Sequence, residues 1–211
     1  MEFGIYFLLR KSEFLPCGNK SNGIQWKNIV FFSESGHPIA FKELTRKSVK
    51  SVQINITKSK MDQHGYGRLV KHNCVSGPQC IVKKLVGWAI SCRDIRNMSV
   101  DDYLFLKRGC KAVVNEGAVS IAMKCIVRFL GWKIDKVSPH SLRYGGATML
   151  AAAGLPQYII AYFGGWSDNS KSLRIYTQVG SEAVDRVSKI MSTGYEVSLE
   201  ESRIRAFSNS L

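Results

Sequence analysis

The apolar positions of this chain recur with two different periods. Residues 3–15, FGIYFLLRKSEFL, are apolar at 3, 5 to 9, 14 and 15, with Arg10, Lys11, Ser12 and Glu13 between them. This density predicts a buried helix whose one polar turn emerges at a place that needs it. Pro16, Gly18 and Asn19 stop it. Residues 24–32, IQWKNIVFF, read as a strand, and SESGHP after them as a turn. Val49, Val52, Ile54 and Ile56 alternate through 49–56 and predict a second strand. MDQHGYG turns the chain, and residues 66–70 return as a third. The tip of that hairpin carries Lys58, Ser59 and Lys60.

Beyond the hairpin the period becomes helical. Ile81, Val82, Leu85, Val86, Trp88 and Ala89 predict a helix over 79–95, and YLFLKRG (103–109) a short connector. Asn115 can cap a helix running to about Leu130, with Val119, Ala122, Met123, Ile126, Val127 and Leu130 on its inner side and Gly131 closing it. Three further helices are expected over 139–153, 155–163 and 169–177, separated at Gly154-Leu155-Pro156 and at Gly164-Gly165. A last helix is expected over 181–191, with a polar tail from Thr193. The fold class is α+β, mainly α: a helical domain with a small three-stranded antiparallel sheet. There is no internal repeat and no low-complexity tract.

Composition narrows the class. With 45 % hydrophobic and 22 % charged residues among 211, the chain can bury a sizeable core, which excludes global disorder. The net charge of +14 points to a polyanionic partner, most often nucleic acid. No basic amphipathic helix or long apolar run supports a membrane surface instead. The charge is uneven: residues 181–211 carry four basic and five acidic side chains, so the net +15 of the remainder lies in the body. Six cysteines (Cys17, Cys74, Cys80, Cys92, Cys110, Cys125) follow no regular frame, and the opening MEFGIYFLLRK is too short in apolar residues for a secretory signal. Reduced thiols in an intracellular protein are the expectation. His64, His72, Cys74 and Cys80 cluster in sequence, but their spacing matches no standard zinc pattern, so no metal is expected.

The densest chemistry lies in HSLRYGGATMLAAAGLPQYIIAYFGGWSDNSKSLRIY, residues 140–176. His140 and Arg143 stand at i and i+3, on one face of a helix start. An HxxR pair alone is weak, since a surface histidine and a salt-bridging arginine arise often by chance. The context strengthens it. Gly145, Gly146, Ala147 and Ala151 to Ala153 permit close helix packing, Gly164-Gly165-Trp166 makes a tight turn, and Tyr176 follows ten residues after Trp166.

These residues resemble the C-terminal motifs of the tyrosine recombinases, also called phage integrases or DNA breaking-rejoining enzymes. The resemblance extends upstream. The family's further arginine, typically in L-R-x-S-E, is matched by Leu9-Arg10-Lys11-Ser12-Glu13, and its hairpin lysine by Lys60 in ITKSKMDQHGYG, with Lys58 as the alternative. Together these motifs cover residues from about 3 to 190. The resemblance implies a site-specific recombinase or integrase that cleaves and rejoins double-stranded DNA through a 3′-phosphotyrosyl intermediate, without a metal or nucleotide cofactor. Arg10 and Arg143 would grip the phosphate oxygens, because a planar guanidinium fork makes two bonds to them. His140 would hydrogen-bond the phosphate and assist proton movement, and Trp166 would donate its indole N–H while packing its ring. Tyr176 would be the nucleophile and Lys60 the general acid for the leaving 5′ oxygen. Tyr162 and Tyr195 fit the expected order less well.

The resemblance also implies an organisation. Residues 1–192 would form the catalytic domain and 193–211 the polar tail, without the N-terminal helical domain that clamps DNA in family members. Homotetramers on paired sites, formed through the C-terminal segment, would be the working assembly, located with DNA inside the cell, in a nucleus or a nucleoid. Two other readings stay open: type IB topoisomerase-like strand relaxation, and a non-catalytic DNA-binding remnant of a mobile element.

Overall fold

The computed structural model describes residues 1–15, 23–57, 67–107 and 112–167. The expected opening helix is two short helices, α1 (Glu2–Tyr6) and α2 (Lys11–Phe14). Between them Leu8 takes a left-handed φ of +47° and Arg10 is extended. The break has a packing reason. Phe3, Phe7, Leu9, Phe14 and Leu15 join the main core, whereas Leu8 turns the other way into a second cluster with Ala147, Ile160 and Ala161. In a continuous helix Phe7 and Leu9 would point roughly 200° apart, so they could not share one core while Leu8 between them entered another.

The sheet has four antiparallel strands rather than three: β1 (Ile29–Phe32), β2 (Pro38–Ile39), β3 (Ser51–Ile56) and β4 (Arg68–Asn73), in the order β2-β1-β3-β4. The added strand is a two-residue edge that the SESGHP turn folds back onto β1, pairing Phe31 with Ile39 and Phe32 with Pro38. Pro38 is tolerated because it sits at an edge. The strand expected over 24–32 starts only at Ile29; Trp26–Asn28 form a 3-10 turn that buries the Trp26 ring. In β3 the alternation holds, with Val52, Ile54 and Ile56 buried. Its ladder with β4 runs from Ser51 opposite Asn73 to Ile56 opposite Arg68. The connection bearing Lys58 and Lys60 lies outside the described residues.

Four helices complete the described residues, beginning with α3 (Ile81–Arg96) and α4 (Glu116–Phe129). α3 covers the sheet with Val82, Leu85, Val86 and Ala89, and Arg93 ties it to the loop after β2 by donating to the carbonyls of Phe41, Lys42 and Leu44. Asn115 caps α4 as expected, its side chain accepting from the Ala118 amide at 3.0 Å. The inner face of α4 is narrower than its periodicity predicts. Only Met123 and Val127 are buried; Val119 is partly covered, while Ala122, Ile126 and Leu130 are exposed. Periodicity marks an apolar stripe but does not say how much of it a neighbour covers.

α5 (His140–Ala152) and α6 (Gln157–Gly164) follow, broken at Gly154-Leu155-Pro156 as expected. The expected helices over 169–177 and 181–191 lie outside the described residues. α5 packs on α1 so tightly that a Cβ at Gly146 would lie 2.4 Å from the Ile5 carbonyl oxygen and 2.6 Å from a Leu8 methyl. Within GGATMLAAA this is the work of Gly146: it brings Arg143, one turn earlier, beneath the α1–α2 break, while Ala152 and Ala153 stay exposed. Gly145, its neighbour, would meet nothing within 4 Å. Gly146→Ala should therefore lower unfolding free energy by about 1–3 kcal/mol through overpacking. Gly145→Ala should leave it unchanged or raise it by up to about 1 kcal/mol. Urea unfolding of the two variants measures the difference, and equal effects would contradict this packing.

Candidate active site

Both ends of the described chain meet at the C-terminal end of α6. Gly165 ends that helix in the left-handed region (φ +62°), with its amide on the Tyr162 carbonyl and the Trp166 amide on the Ala161 carbonyl. The last carbonyls of a helix have no acceptor role inside it and sit at the negative end of its dipole. Here arginines take them. The Gly164 carbonyl accepts from Arg143 Nη2 at 2.6 Å and from Arg68 Nη1 at 3.0 Å. The Gly165 carbonyl accepts from Arg10 Nη2 at 3.4 Å. Three arginines from three separate elements thus converge on two adjacent carbonyls.

Arg10 reaches this point because the chain breaks before it. As the residue preceding α2 it is extended, and Glu13, three residues on, turns back to it. Glu13 Oε2 accepts from the Arg10 amide at 2.8 Å, and Oε1 accepts from Arg10 Nη1 at 2.9 Å. Glu13 is only 2 % exposed. Its second partner is Arg68 at the start of β4, with Nη2 at 3.2 Å from Oε2 and Nη1 at 3.5 Å from Oε1. Burial by itself would push the Glu13 carboxyl up. The charge of Arg68, then the amide and charge of Arg10, outweigh it and hold the group below the usual carboxylate range. Among the described residues, Glu13 is the carboxylate hydrogen-bonded into this cluster, so one negative charge faces three positive ones.

Arg143 is fully buried. Besides Gly164 it donates through Nη1 to the Leu8 carbonyl, exposed for this purpose by the left-handed turn at Leu8. Trp166 lies across its guanidinium, the ring centroid 3.7 Å from Cζ. That contact is a cation–π stack. It explains why the turn is so tight: a Cβ on Gly164 would lie 1.9 Å from the Trp166 ring. His140, one turn before Arg143, is open to solvent as a residue. Partial burial of its ring, and then the charges of Arg143, Arg10 and Lys11, lower its pKa. Both effects favour the neutral imidazole.

Of the six residues expected from the sequence, the structure brings Arg10, His140, Arg143 and Trp166 together. Lys60 and Tyr176 lie outside the described residues, as does Lys58. Arg143 forms the buried floor of the cluster, while Arg10, with 19 % of its side chain exposed, and His140 reach its surface. Arg68 is the residue that sequence reasoning misses. Nothing local separates it from the other seven Lys/Arg between residues 42 and 71. The cysteine-histidine cluster forms no ligand set among the described residues. His72 donates Nε2–H to the Tyr6 carbonyl at 2.9 Å and packs edge-on against Phe7 and Phe163, while Cys74 and Cys80 are free thiols 3.8 Å apart.

Comparison with known proteins places these observations. The sequence matches the phage integrase family over residues 23–182, well over half of the chain, starting after Arg10 and ending beyond Tyr176. A search of curated proteins returned no match. Two solved structures share the fold. The XerH site-specific recombinase bound to palindromic difH substrate, a post-cleavage complex, is 18 % identical, with a TM-score of 0.59 over 90 % of this chain and 44 % of that one. The XerA recombinase is 19 % identical, with a TM-score of 0.52 over 90 % and 55 %. The chain thus spans about half the length of these proteins. With its family match and its shared fold, the chain belongs to the phage integrase family.

Proposed function

We propose that this chain supplies the catalytic domain (residues 1–192) of a site-specific tyrosine recombinase or integrase acting on double-stranded DNA. The observation that carries the reading is the convergence of Arg10 and Arg143 from distant parts of the chain onto one helix terminus, with His140 near both of their charges and a single carboxylate among their described partners. Such a cluster is an anion site. A phosphodiester under attack gains negative charge on its non-bridging oxygens, and preorganised guanidinium groups stabilise that charge as it develops.

The residues then divide the work. Arg10 binds one phosphate oxygen from the outward side of the cluster. Arg143 contributes its charge from beneath, and a direct grip by it exchanges the Gly164 carbonyl for a phosphate oxygen. Trp166 holds the Arg143 plane by stacking and can offer its indole N–H at the rim. The neutral His140 hydrogen-bonds the phosphate and accepts a proton as the Tyr176 phenol attacks phosphorus. The new bond joins Tyr176 Oη to phosphorus; the bond to the 5′ oxygen breaks, and Lys60, or Lys58 in its place, protonates that oxygen. A 5′ hydroxyl attacking the 3′-phosphotyrosine then reverses the steps, so the phosphodiester energy is conserved and no cofactor is consumed. The assembly is a homotetramer on paired sites formed through the C-terminal segment, located with DNA inside the cell. Among the described residues no helix is long and apolar enough to cross a membrane.

Covalent trapping tests the nucleophile. Incubated with nicked duplex DNA, the wild-type chain should give an SDS-resistant protein–DNA adduct, and Tyr176→Phe should give none. An adduct that persists in the variant removes Tyr176. DNA binding without an adduct from any substrate marks a binding domain instead. Lys60→Ala should slow cleavage of ordinary DNA about 100- to 10,000-fold, the usual range for loss of a general acid. A substrate with a better 5′ leaving group should restore the rate. Equal defects on both substrates would reassign the acid, and the same pair of assays on Lys58→Ala decides between the two lysines.

A further inference from the structure

The corner between β4 and α3 gathers reactive groups that the chemistry above does not use. It runs from Cys74 to Cys80 as CVSGPQC. The two Sγ atoms lie 3.8 Å apart. Both cysteines are tied down through the backbone. The Cys74 amide donates to the Lys50 carbonyl at 2.7 Å, and the Cys80 carbonyl accepts from the Lys84 amide at 3.1 Å in the first turn of α3. The five residues between them are exposed, and Gly77 turns them with a left-handed φ of +97° and open space around it. A cavity of about 420 Å³ reaches Cys80, walled by Tyr6, His72 and the 75–79 segment. Tyr6 Oη donates to the Gln79 carbonyl at 2.7 Å and fixes one side of it.

Two cysteines at such a corner could serve packing alone, and Cys80 does belong to the main core. Cys92, buried further along α3, shows what packing does to a thiol: burial pushes it up to about 11. Burial acts in the same direction on Cys80. There, however, the amides of Lys83 and Val75, the Cys74 thiol and the amide of Val82 outweigh it and bring the thiol below its ordinary value. The Val75 amide donates to Cys80 Sγ at 3.4 Å. Cys74 moves the other way, raised by burial and then by the hydrogen bond and charge of Cys80. The pair is therefore differentiated: Cys80 is the better thiolate, and Cys74 keeps its proton.

We propose that Cys74 and Cys80 form a dithiol site that takes a low-molecular-weight disulfide and exchanges with it to give a reversible Cys74–Cys80 disulfide. The Cys80 thiolate, reached through the cavity, attacks one sulfur of the small disulfide. That S–S bond breaks, and the departing thiolate takes up the proton that Cys80 gave up. The Cys74 thiol then loses its proton and attacks Cys80 Sγ, which expels the second small thiol. Two cysteines are oxidised by two electrons, one small disulfide is reduced to two thiols, and no other oxidant is needed. The sulfurs move from 3.8 Å to a bond of about 2.05 Å, over a loop whose five intervening residues are exposed. The site follows Asn73 at one end of the β3–β4 ladder, whereas Arg68 opens β4 at the other end. The inference is thus independent of the strand-transfer reading.

Trypsin gives a clean readout, because cleavage after Lys71 and Lys83 releases His72–Lys83 with both cysteines and no others. The native full chain is incubated at pH 7 with oxidised glutathione, quenched by acid, alkylated and analysed by mass spectrometry. Peptide 72–83 should lose two hydrogens and resist alkylation, and dithiothreitol should restore it. Closure should be at least about tenfold faster in the native chain than in the chain unfolded in urea, because only the fold holds the sulfurs together. Cys74→Ser, which lacks the resolving thiol, should stop with one glutathione on Cys80. Cys74 in Cys80→Ser should react about tenfold more slowly than Cys80 does in Cys74→Ser. A wild-type peptide that stays reduced or ends as a glutathione adduct overturns the inference. Equal closure rates in native and unfolded chains, or Cys74 reacting as fast as Cys80, do so as well. The wild-type comparison needs no variant to fold.

Discussion

The end of α6 presents two carbonyl oxygens that the helix cannot use, and the molecule answers with guanidinium groups from α5, β4 and the segment before α2. Everything at the candidate site depends on that exchange. Gly165 must be left-handed for the carbonyls to turn toward the arginines, and it must lack a Cβ because Arg68 passes so close. Leu8 must leave the helical region so that its own carbonyl reaches Arg143. Glu13 must be buried and ionised to hold Arg10 and Arg68 side by side, where alone they would repel. Four backbone or side-chain requirements follow from one need, which is to satisfy the negative end of a helix in a place where water is scarce.

The same arrangement accounts for the electrostatics. Buried arginines remain charged, since the guanidinium does not give up its proton in proteins. Helix carbonyls satisfy their hydrogen bonds without neutralising that charge. Among the described residues Glu13 removes one unit of it and leaves an excess. His140 registers the excess directly: Arg143, Arg10 and Lys11 all favour its neutral form. A site built this way attracts anions before any specific contact is made, and the basic body of the chain extends that attraction beyond the cluster.

Much of the fold is legible in the sequence, because local rules carry it. The Asn115 cap, the alternation in β3, the break at Gly154-Leu155-Pro156 and the end of α6 at Gly164-Gly165 all lie where side-chain chemistry places them. The departures have one cause in common. A single helix over 3–15, a strand beginning at residue 24, three strands instead of four, and a wide inner face on α4 each assume that local pattern meets an ideal partner. Instead Leu8 is pulled toward a second core, Trp26 is buried through a 3-10 turn, Pro38 and Ile39 pair along an edge, and only Met123 and Val127 of α4 become buried.

The sequence by itself determined which residue types the candidate site carries. HxxR, the Gly-Gly-Trp turn and the LRKSE segment are visible as residue types at fixed spacing, since spacing along a helix or turn translates directly into a shared face. Only the tertiary structure decided how these groups stand toward one another. It turned Arg143 into a buried floor stacked by Trp166, left Arg10 and His140 at the surface of the cluster, and recruited Arg68 from a strand with no motif of its own. The reason is physical. Burial, desolvation and the pairing of charges depend on distances between residues as far apart as 10 and 165, and those distances exist only after the two cores have packed.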